Sequence, residues 1–194
     1  MAEPETTAHP ELTQLSSPSW RPGDDRPDVH SILRVDQAGE YGATRIYAGQ
    51  LAVLGDGQPA SRLIANMAQQ EVRHLKHFDP LLAERGVRPT LLQPFWNVAG
   101  HALGAATALI SPAAAMACTA AVEDEIEQHY GDQLRSLRDE DPALSATIEE
   151  FQADEAEHRD TAIEAGAQDA FGYPVLYTMI RAGCRLAIAL SKRI

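Results

Sequence analysis

The sequence predicts an all-α protein: a four-helix bundle with two additional apolar or amphipathic helices. Apolar residues recur every three or four positions from Val29 onward, which is the period of a helix buried on one face. Groups of Gly and Pro divide this pattern into segments of helical length. No segment alternates apolar and polar residues as a half-buried β-strand does.

The breaks in the pattern predict six helices. Their expected ranges are 29–54, 60–85, 95–110, 113–138, 142–165 and 174–191. Residues 1–27 contain five of the twelve prolines and have no apolar period, so we interpret them as a mobile tail. Residues 28–194 then form one helical domain.

Composition excludes several classes of protein. The 194 residues include 28 acidic and 16 basic side chains, and the net charge of −12 is unsuited to binding nucleic acid. Two cysteines, Cys118 and Cys184, are too few for a disulfide scaffold or a Cys-rich metal site, and we expect reduced thiols. The N-terminal residues lack the apolar core of a secretory signal, which favours a cytoplasmic location.

Four of the predicted helices carry an acidic residue on the stripe that should face the core. Glu40, Glu71, Glu123 and Glu155 each lie in line with apolar residues three or four positions away. An ionised carboxylate without a partner is costly to bury, so these side chains need protons, partners or a metal.

The acids belong to an internal repeat. A lone Glu is followed by Glu-x-x-His twice, as Glu40 with Glu71–His74 and as Glu123 with Glu155–His158. Corresponding positions are separated by 83 or 84 residues. This is the ligand pattern of ferritin-like bundles that bind two metal ions through carboxylates. We therefore predict a dinuclear site in which Glu71 and Glu155 bridge, Glu40 and Glu123 are terminal, and His74 and His158 bind one metal each.

The ligand types favour iron or manganese. Four carboxylates balance two divalent cations, and the absence of thiolates disfavours structural zinc and iron–sulfur clusters. Single Glu–His pairs at this spacing are usually surface pairs, and the repeat is what distinguishes these two. The repeat also favours Glu123 over Glu127, which lies on nearly the same face. His129 and Tyr130, within two turns of Glu123, are candidates for supporting the ligands from behind.

Three further features leave alternatives open. Gly39 and Gly42 flank Glu40 inside a helix, where they allow either close helix packing or a cavity beside the metals. Residues 89–122 form a run without formal charge that contains polar residues and Pro, so a helix on the membrane surface or along an apolar entrance is preferred to a membrane span. The last helix, in residues 174–194, is apolar and basic and predicts peripheral membrane binding, with snorkelling arginines as the alternative.

Four stretches resemble the demethoxyubiquinone hydroxylases of ubiquinone biosynthesis: LRVDQAGEYGATRIYAGQ (33–50), EVRHLKHF (71–78), MACTAAVEDEIEQHY (116–130) and EEFQADEAEHRD (149–160). The resemblance extends from about Val29 to the C-terminus. It implies a membrane-bound di-iron monooxygenase that hydroxylates the ring of a polyprenylated methoxy-benzoquinol with O2. The six metal ligands it implies are those that the repeat selects, and His129 and Tyr130 match a pair associated with electron or proton transfer.

The resemblance also implies a peripheral protein at the cytoplasmic face of the cell membrane, with two iron ions per chain. No Gly-rich dinucleotide motif follows a strand, so electrons should come from a reductase or from the quinol itself, and a lipid-presenting partner is compatible with this picture. One competing reading is a ferritin- or rubrerythrin-like protein that oxidises iron or scavenges peroxide. Another is a metal-free helical scaffold at the membrane.

Overall fold

The computed structural model describes residues 27–194, which form six α-helices, and it contains no β-strand within that range. The helices are α1 (Val29–Leu54), α2 (Pro59–Glu84), α3 (Gln93–Ile110), α4 (Pro112–Leu137), α5 (Pro142–Glu164) and α6 (Tyr173–Ser191), with a short 3-10 turn at Ala167–Asp169. Each agrees with its predicted range to within two residues, which confirms the all-α fold class. Apart from Pro27, the proposed N-terminal tail lies outside the described residues.

Helix starts follow from local side-chain chemistry. Asp28, Ser111 and Asp141 accept hydrogen bonds from backbone N–H groups in the first turns of α1, α4 and α5, at 3.0–3.1 Å. These bonds satisfy donors that have no partner within the helix. The other five helices after α1 include a proline in their first two positions, where its missing N–H costs nothing.

The repeat comprises three helices rather than the two that the acids indicate. Helices α1 and α4 begin 83 residues apart, and so do α2 and α5. Helix α1 packs against α2 and α3, while α4 packs against α5 and α6. The third helix of each unit therefore lies against the first one, on the outside of the four helices that carry the acids.

The predicted ligands lie between two apolar clusters. One cluster includes Tyr47, Ile64, Met116 and Ala162, and the other includes Leu33, Phe78, Tyr130 and Ile148. Along each of α1, α2, α4 and α5, the chain passes from one cluster to the other through the acidic residue. The ligands thus form a polar layer across the middle of an apolar core.

Glycines allow α3 to lie directly on α1. A Cβ atom at Gly104 would stand 1.9 Å from the backbone oxygen of Ile46, and one at Gly49 would stand 2.1 Å from that of His101. Only glycine permits this approach of two backbones. Close packing is therefore the role of these glycines, and it holds residues 93–110 against the bundle.

Helix lengths and hydropathy were also compared with the thickness of a bilayer. Within residues 27–194, no helix is both long enough and apolar enough to cross a membrane.

Candidate metal centre

The structure brings the six predicted ligands together. Glu40 comes from α1, Glu71 and His74 from α2, Glu123 from α4, and Glu155 and His158 from α5. All six side chains are almost completely buried, with exposures of 0–1%. Their common location follows from helical periodicity, because each replaces an apolar residue on a core-facing stripe.

The ligands form two groups that share two members. One group contains Glu40, Glu71, His74 and Glu155, and the other contains Glu71, Glu123, Glu155 and His158. Within each group, one potential ligand atom from every residue lies within 4.8 Å of the others. Glu71 and Glu155 occur in both groups, whereas each histidine and each remaining glutamate occurs in one. This is the geometry that two metals with two bridging carboxylates require.

Both histidines direct Nδ1 toward the carboxylates. Nδ1 of His74 lies 3.3 Å from Glu40 Oε2 and 3.2 Å from Glu155 Oε1. Nδ1 of His158 lies 3.1 Å from Glu71 Oε1 and 3.4 Å from Glu155 Oε2. Nδ1 is therefore the atom that each ring offers to a metal, and Nε2 faces away from the centre.

The outward Nε2 atoms have different partners. His74 Nε2 lies 2.9 Å from Asp154 Oδ2, while His158 Nε2 lies 2.8 Å from Gln70 Oε1. Such contacts fix the ring orientation and keep the proton on Nε2, so that Nδ1 remains available as a ligand. Sequence analysis missed both partners, because they are half-buried residues at the edge of the stripes.

Two tyrosines hold the glutamates that belong to one group only. Tyr130 donates its hydroxyl hydrogen bond to Glu40 Oε1, and Tyr47 donates to Glu123 Oε1. The sequence singled out Tyr130 but not Tyr47. The signal for Tyr47 was present in the repeat, since the two tyrosines are 83 residues apart, as are Glu40 and Glu123.

Protons make the buried acids tolerable when only the protein is considered. Burial, and then the negative charge of Glu155, raise the pKa of Glu71 and of Glu123 well above the ordinary value. Burial opposes ionisation of Glu155, but hydrogen bonds from His158 and His74 outweigh it and lower its pKa to about 2. Burial likewise opposes the charge of His74, but hydrogen bonds with Glu155 and Glu40 raise its pKa to about 10.

The donor set fits a pair of divalent cations. Both oxygens of Glu71, both oxygens of Glu155 and Glu123 Oε2 are buried without a well-aligned hydrogen bond, as is Nδ1 of His158. Buried polar atoms normally have partners, so these atoms indicate that something else binds there. Four carboxylates and two imidazoles are ligands suited to iron or manganese.

The remaining acids and histidines near the centre have other partners. Glu127, the rejected alternative to Glu123, pairs with Arg159. Nε2 of His129 lies 2.9 Å from the amide nitrogen of Gln133, which in turn donates to the buried Asp36. Burial lowers the pKa of His129 to about 4, so its ring is neutral at physiological pH. His129 thus belongs to a polar cluster beside the centre, whereas Tyr130 contacts a predicted ligand directly.

An apolar groove of about 440 Å³ runs beside the centre between α3 and α6. Gly39 and Gly42, next to Glu40, line it together with Val122, next to Glu123. A Cβ atom at Gly39 or Gly42 would meet no other atom within 4 Å, so these glycines leave open space. Of the two alternatives, the cavity therefore accounts for Gly39 and Gly42. Trp96 on α3 donates to Ser191 on α6, and both residues line the groove.

The outer surfaces of α3 and α6 are apolar, but the basic residues of α6 are not free. Phe95, Val98, Val175, Met179 and Leu186 are 60–69% exposed. In contrast, Arg181 forms ion pairs with Asp124 and Glu125 at 2.6 and 2.9 Å, and Arg185 pairs with Glu125 at 3.3 Å. The expectation that these arginines present a free positive charge to a membrane is therefore not met, because acids on α4 neutralise them.

Comparison with known proteins agrees with this site. The family model described as "Ubiquinone biosynthesis protein COQ7" matches residues 27–191. A 3-demethoxyubiquinol 3-hydroxylase from Rhodospirillum rubrum is 51% identical over 175 residues, covering 89% of this chain and 82% of that protein. The human NADPH-dependent 3-demethoxyubiquinone 3-hydroxylase, which is mitochondrial, is 50% identical over 173 residues, covering 87% and 79%. A yeast 5-demethoxyubiquinone hydroxylase is 44% identical over 179 residues, covering 84% and 77%. The chain belongs to the COQ7 family of ubiquinone biosynthesis proteins.

Proposed function

We propose that this protein is an O2-dependent hydroxylase of demethoxyubiquinol that uses two iron ions held by Glu40, Glu71, His74, Glu123, Glu155 and His158. The observation that carries the proposal is the pair of buried ligand groups sharing Glu71 and Glu155. It occurs in a chain about half identical to proteins named as hydroxylases of this substrate. Bound iron would supply the activation of O2 that ring hydroxylation requires.

The protein's own part is to hold charge in a dry site. The four carboxylates offset the charge of two divalent cations, so that a neutral cluster can lie between two apolar clusters. Tyr47 and Tyr130 fix one oxygen of Glu123 and of Glu40, which leaves the other oxygen of each free to bind a metal. Burial and the neighbouring carboxylates raise the pKa of both tyrosines, so each hydroxyl keeps its proton and remains a donor.

The groove is suited to a substrate with a flat ring and a long apolar tail. The glycines beside Glu40 leave room for the ring next to the metal layer. Leu103, Leu176 and Ile188 belong to its apolar lining, against which a polyprenyl chain would be removed from water. Burial of apolar surface stabilises such a complex by about 25 cal/mol per Å².

Peripheral contact with the membrane, at its cytoplasmic face, is part of this proposal. The groove lies between α3 and α6, and the exposed apolar side chains belong to the same two helices. Contact of this surface with lipid would bring the groove to the layer in which a polyprenylated quinol resides. Because Arg181 and Arg185 are paired within the protein, the attraction should be mainly apolar rather than electrostatic. Electrons would come from a reductase or from the quinol, and a lipid-presenting partner is compatible with this arrangement.

The activity can be tested with purified protein. Iron-loaded protein is mixed with a short-chain demethoxyubiquinol, a chemical reductant and O2, and the products are examined by mass spectrometry. We expect a product heavier by one oxygen atom. The same product should be absent from Glu155→Gln and present with Glu150→Gln, a matched change at an exposed position of the same helix. Absence of product from iron-loaded wild-type protein would contradict the proposal, as would equal turnover by Glu155→Gln.

A further inference from the structure

The metal centre has an approximate internal symmetry. Glu40 and Tyr130 on one side correspond to Glu123 and Tyr47 on the other, and the members of each pair are related by the 83-residue offset. Each tyrosine binds the glutamate of the opposite repeat unit. The centre is therefore built from equivalent residues that contact each other reciprocally.

One pair of positions breaks this symmetry. Gln70 and Asp154 are 84 residues apart, as are His74 and His158, and each directly precedes the glutamate of its Glu-x-x-His motif. Their contacts are reciprocal too, since Asp154 binds Nε2 of His74 and Gln70 binds Nε2 of His158. The two contacts have nearly equal lengths, 2.9 and 2.8 Å, but one acceptor is a carboxylate and the other is a neutral amide.

The charge on Asp154 has local support. Arg73 donates to the same oxygen that contacts His74, and this gives the carboxylate a cationic partner. The repeat places Glu157 at the position equivalent to Arg73, so no cation occupies the corresponding place beside Gln70. Arg73 and Asp154 thus form a unit that one half of the centre has and the other lacks.

We propose that Asp154 and Gln70 are positioning residues that make the two metal positions unequal, so that the position at His74 binds a divalent cation more tightly than the position at His158. This inference rests on the proposed metal centre. A carboxylate that accepts the Nε2 proton makes the imidazole a stronger electron donor at Nδ1 than an amide does. The more basic ligand binds the cation more strongly, and it also favours the higher oxidation state of a redox metal.

Co2+ is a suitable probe, because its visible absorption reports binding to nitrogen and oxygen ligands without redox chemistry. Titration of the metal-free protein should give two binding constants, and equilibrium dialysis should give two ions per chain. Repulsion between neighbouring cations also separates the two constants, so the wild-type curve alone does not decide. The decisive variants are Asp154→Asn, which removes the charge and keeps the shape, and Gln70→Glu, which adds a charge in the same shape.

The two variants should act in opposite directions. Asp154→Asn should weaken the tighter constant by about 10- to 100-fold, the range known for partners behind a ligating histidine. Gln70→Glu should strengthen the weaker constant by a similar factor, which a purely structural role for Gln70 would not produce. Thermal unfolding of the metal-free variants shows whether they are folded, and if Asp154→Asn is not, Gln70→Glu decides alone.

Other outcomes separate the two levels of the argument. If wild-type protein binds two Co2+ ions and neither variant shifts a constant by more than about twofold, the inequality is refuted while the metal centre stands. Weaker binding by Gln70→Glu would refute it as well. If wild-type protein binds no Co2+, the metal centre itself is wrong and the inequality with it.

Discussion

Two glycines in the same part of the fold should respond in opposite ways to the same substitution. A Cβ atom at Gly104 would lie 1.9 Å from the backbone oxygen of Ile46 and 2.8 Å from its carbonyl carbon, so α3 must move away from α1. A Cβ atom at Gly42 would meet nothing within 4 Å. Both positions are interior to a helix, so both substitutions gain about 1 kcal/mol of helix propensity.

The magnitudes follow from these contacts. Gly42→Ala should stabilise the fold by roughly 0.5–1 kcal/mol, which is the propensity gain alone. Gly104→Ala should destabilise it by about 1–3 kcal/mol, the usual cost of overpacking, because backbone atoms cannot rotate out of the way. The two variants should then differ by roughly 2–4 kcal/mol. For a domain of this size that corresponds to about 4–16 °C in Tm.

Thermal unfolding followed by far-ultraviolet circular dichroism measures this difference directly. The metal-free forms should be compared, so that altered metal binding does not contribute. Equal Tm values for the two variants would refute the close approach of α1 and α3. A second substitution, Gly42→Leu, should fill the groove beside Glu40 and raise KM for the quinol at full metal content. An unchanged KM would show that substrate does not use the groove.

Three further predictions concern the centre and the surface. The Tm of the metal-free protein should fall as pH rises from about 6.5 toward 10, because the stabilisation from protonated His74, whose pKa is raised to about 10, is complete below the unfolded value of 6.5 and is lost through that range. The raised pKa values of Glu71 and Glu123 act in the same direction, and Glu155, with its pKa lowered to about 2, contributes a constant amount above pH 4.5; a Tm that rises with pH would contradict this. Tyr47→Phe should destabilise the metal-free protein by about 1–3 kcal/mol in denaturant titrations, because buried Glu123 loses its donor; the result would be contradicted by an unchanged midpoint. Binding to neutral phosphatidylcholine vesicles should persist at high salt and be weakened by Phe95→Ser with Met179→Ser; binding that salt abolishes would instead indicate an electrostatic contact.

The helices and the ligand positions could be predicted because both depend on local rules. Proline, glycine and capping residues mark where each helix begins or ends, as at Ser111, which ends α3 and caps α4. The acids at 40, 71, 123 and 155 stand out because they interrupt an apolar period that is otherwise regular. Their convergence follows once four such stripes face one core.

Features that depend on the packing of particular helices could not be predicted. Whether Gly39 and Gly42 form a contact or a cavity depends on which face of α1 is covered by α3, and α3 in fact covers the face of Gly49. The free positive charge expected on α6 disappears because Asp124 and Glu125 happen to face Arg181. Similarly, Gln70 and Asp154 gain their role only from the residue opposite them on another helix.

The central claim is that two metal ions bind to one buried cluster. Anaerobic titration with Fe2+, followed by removal of free metal and elemental analysis, measures this most directly. The account predicts two iron ions per chain in the wild-type protein and in Glu84→Ala, an exposed position on α2, and loss of both ions in Glu71→Ala. Less than one iron per wild-type chain, or full iron content in Glu71→Ala, would contradict it.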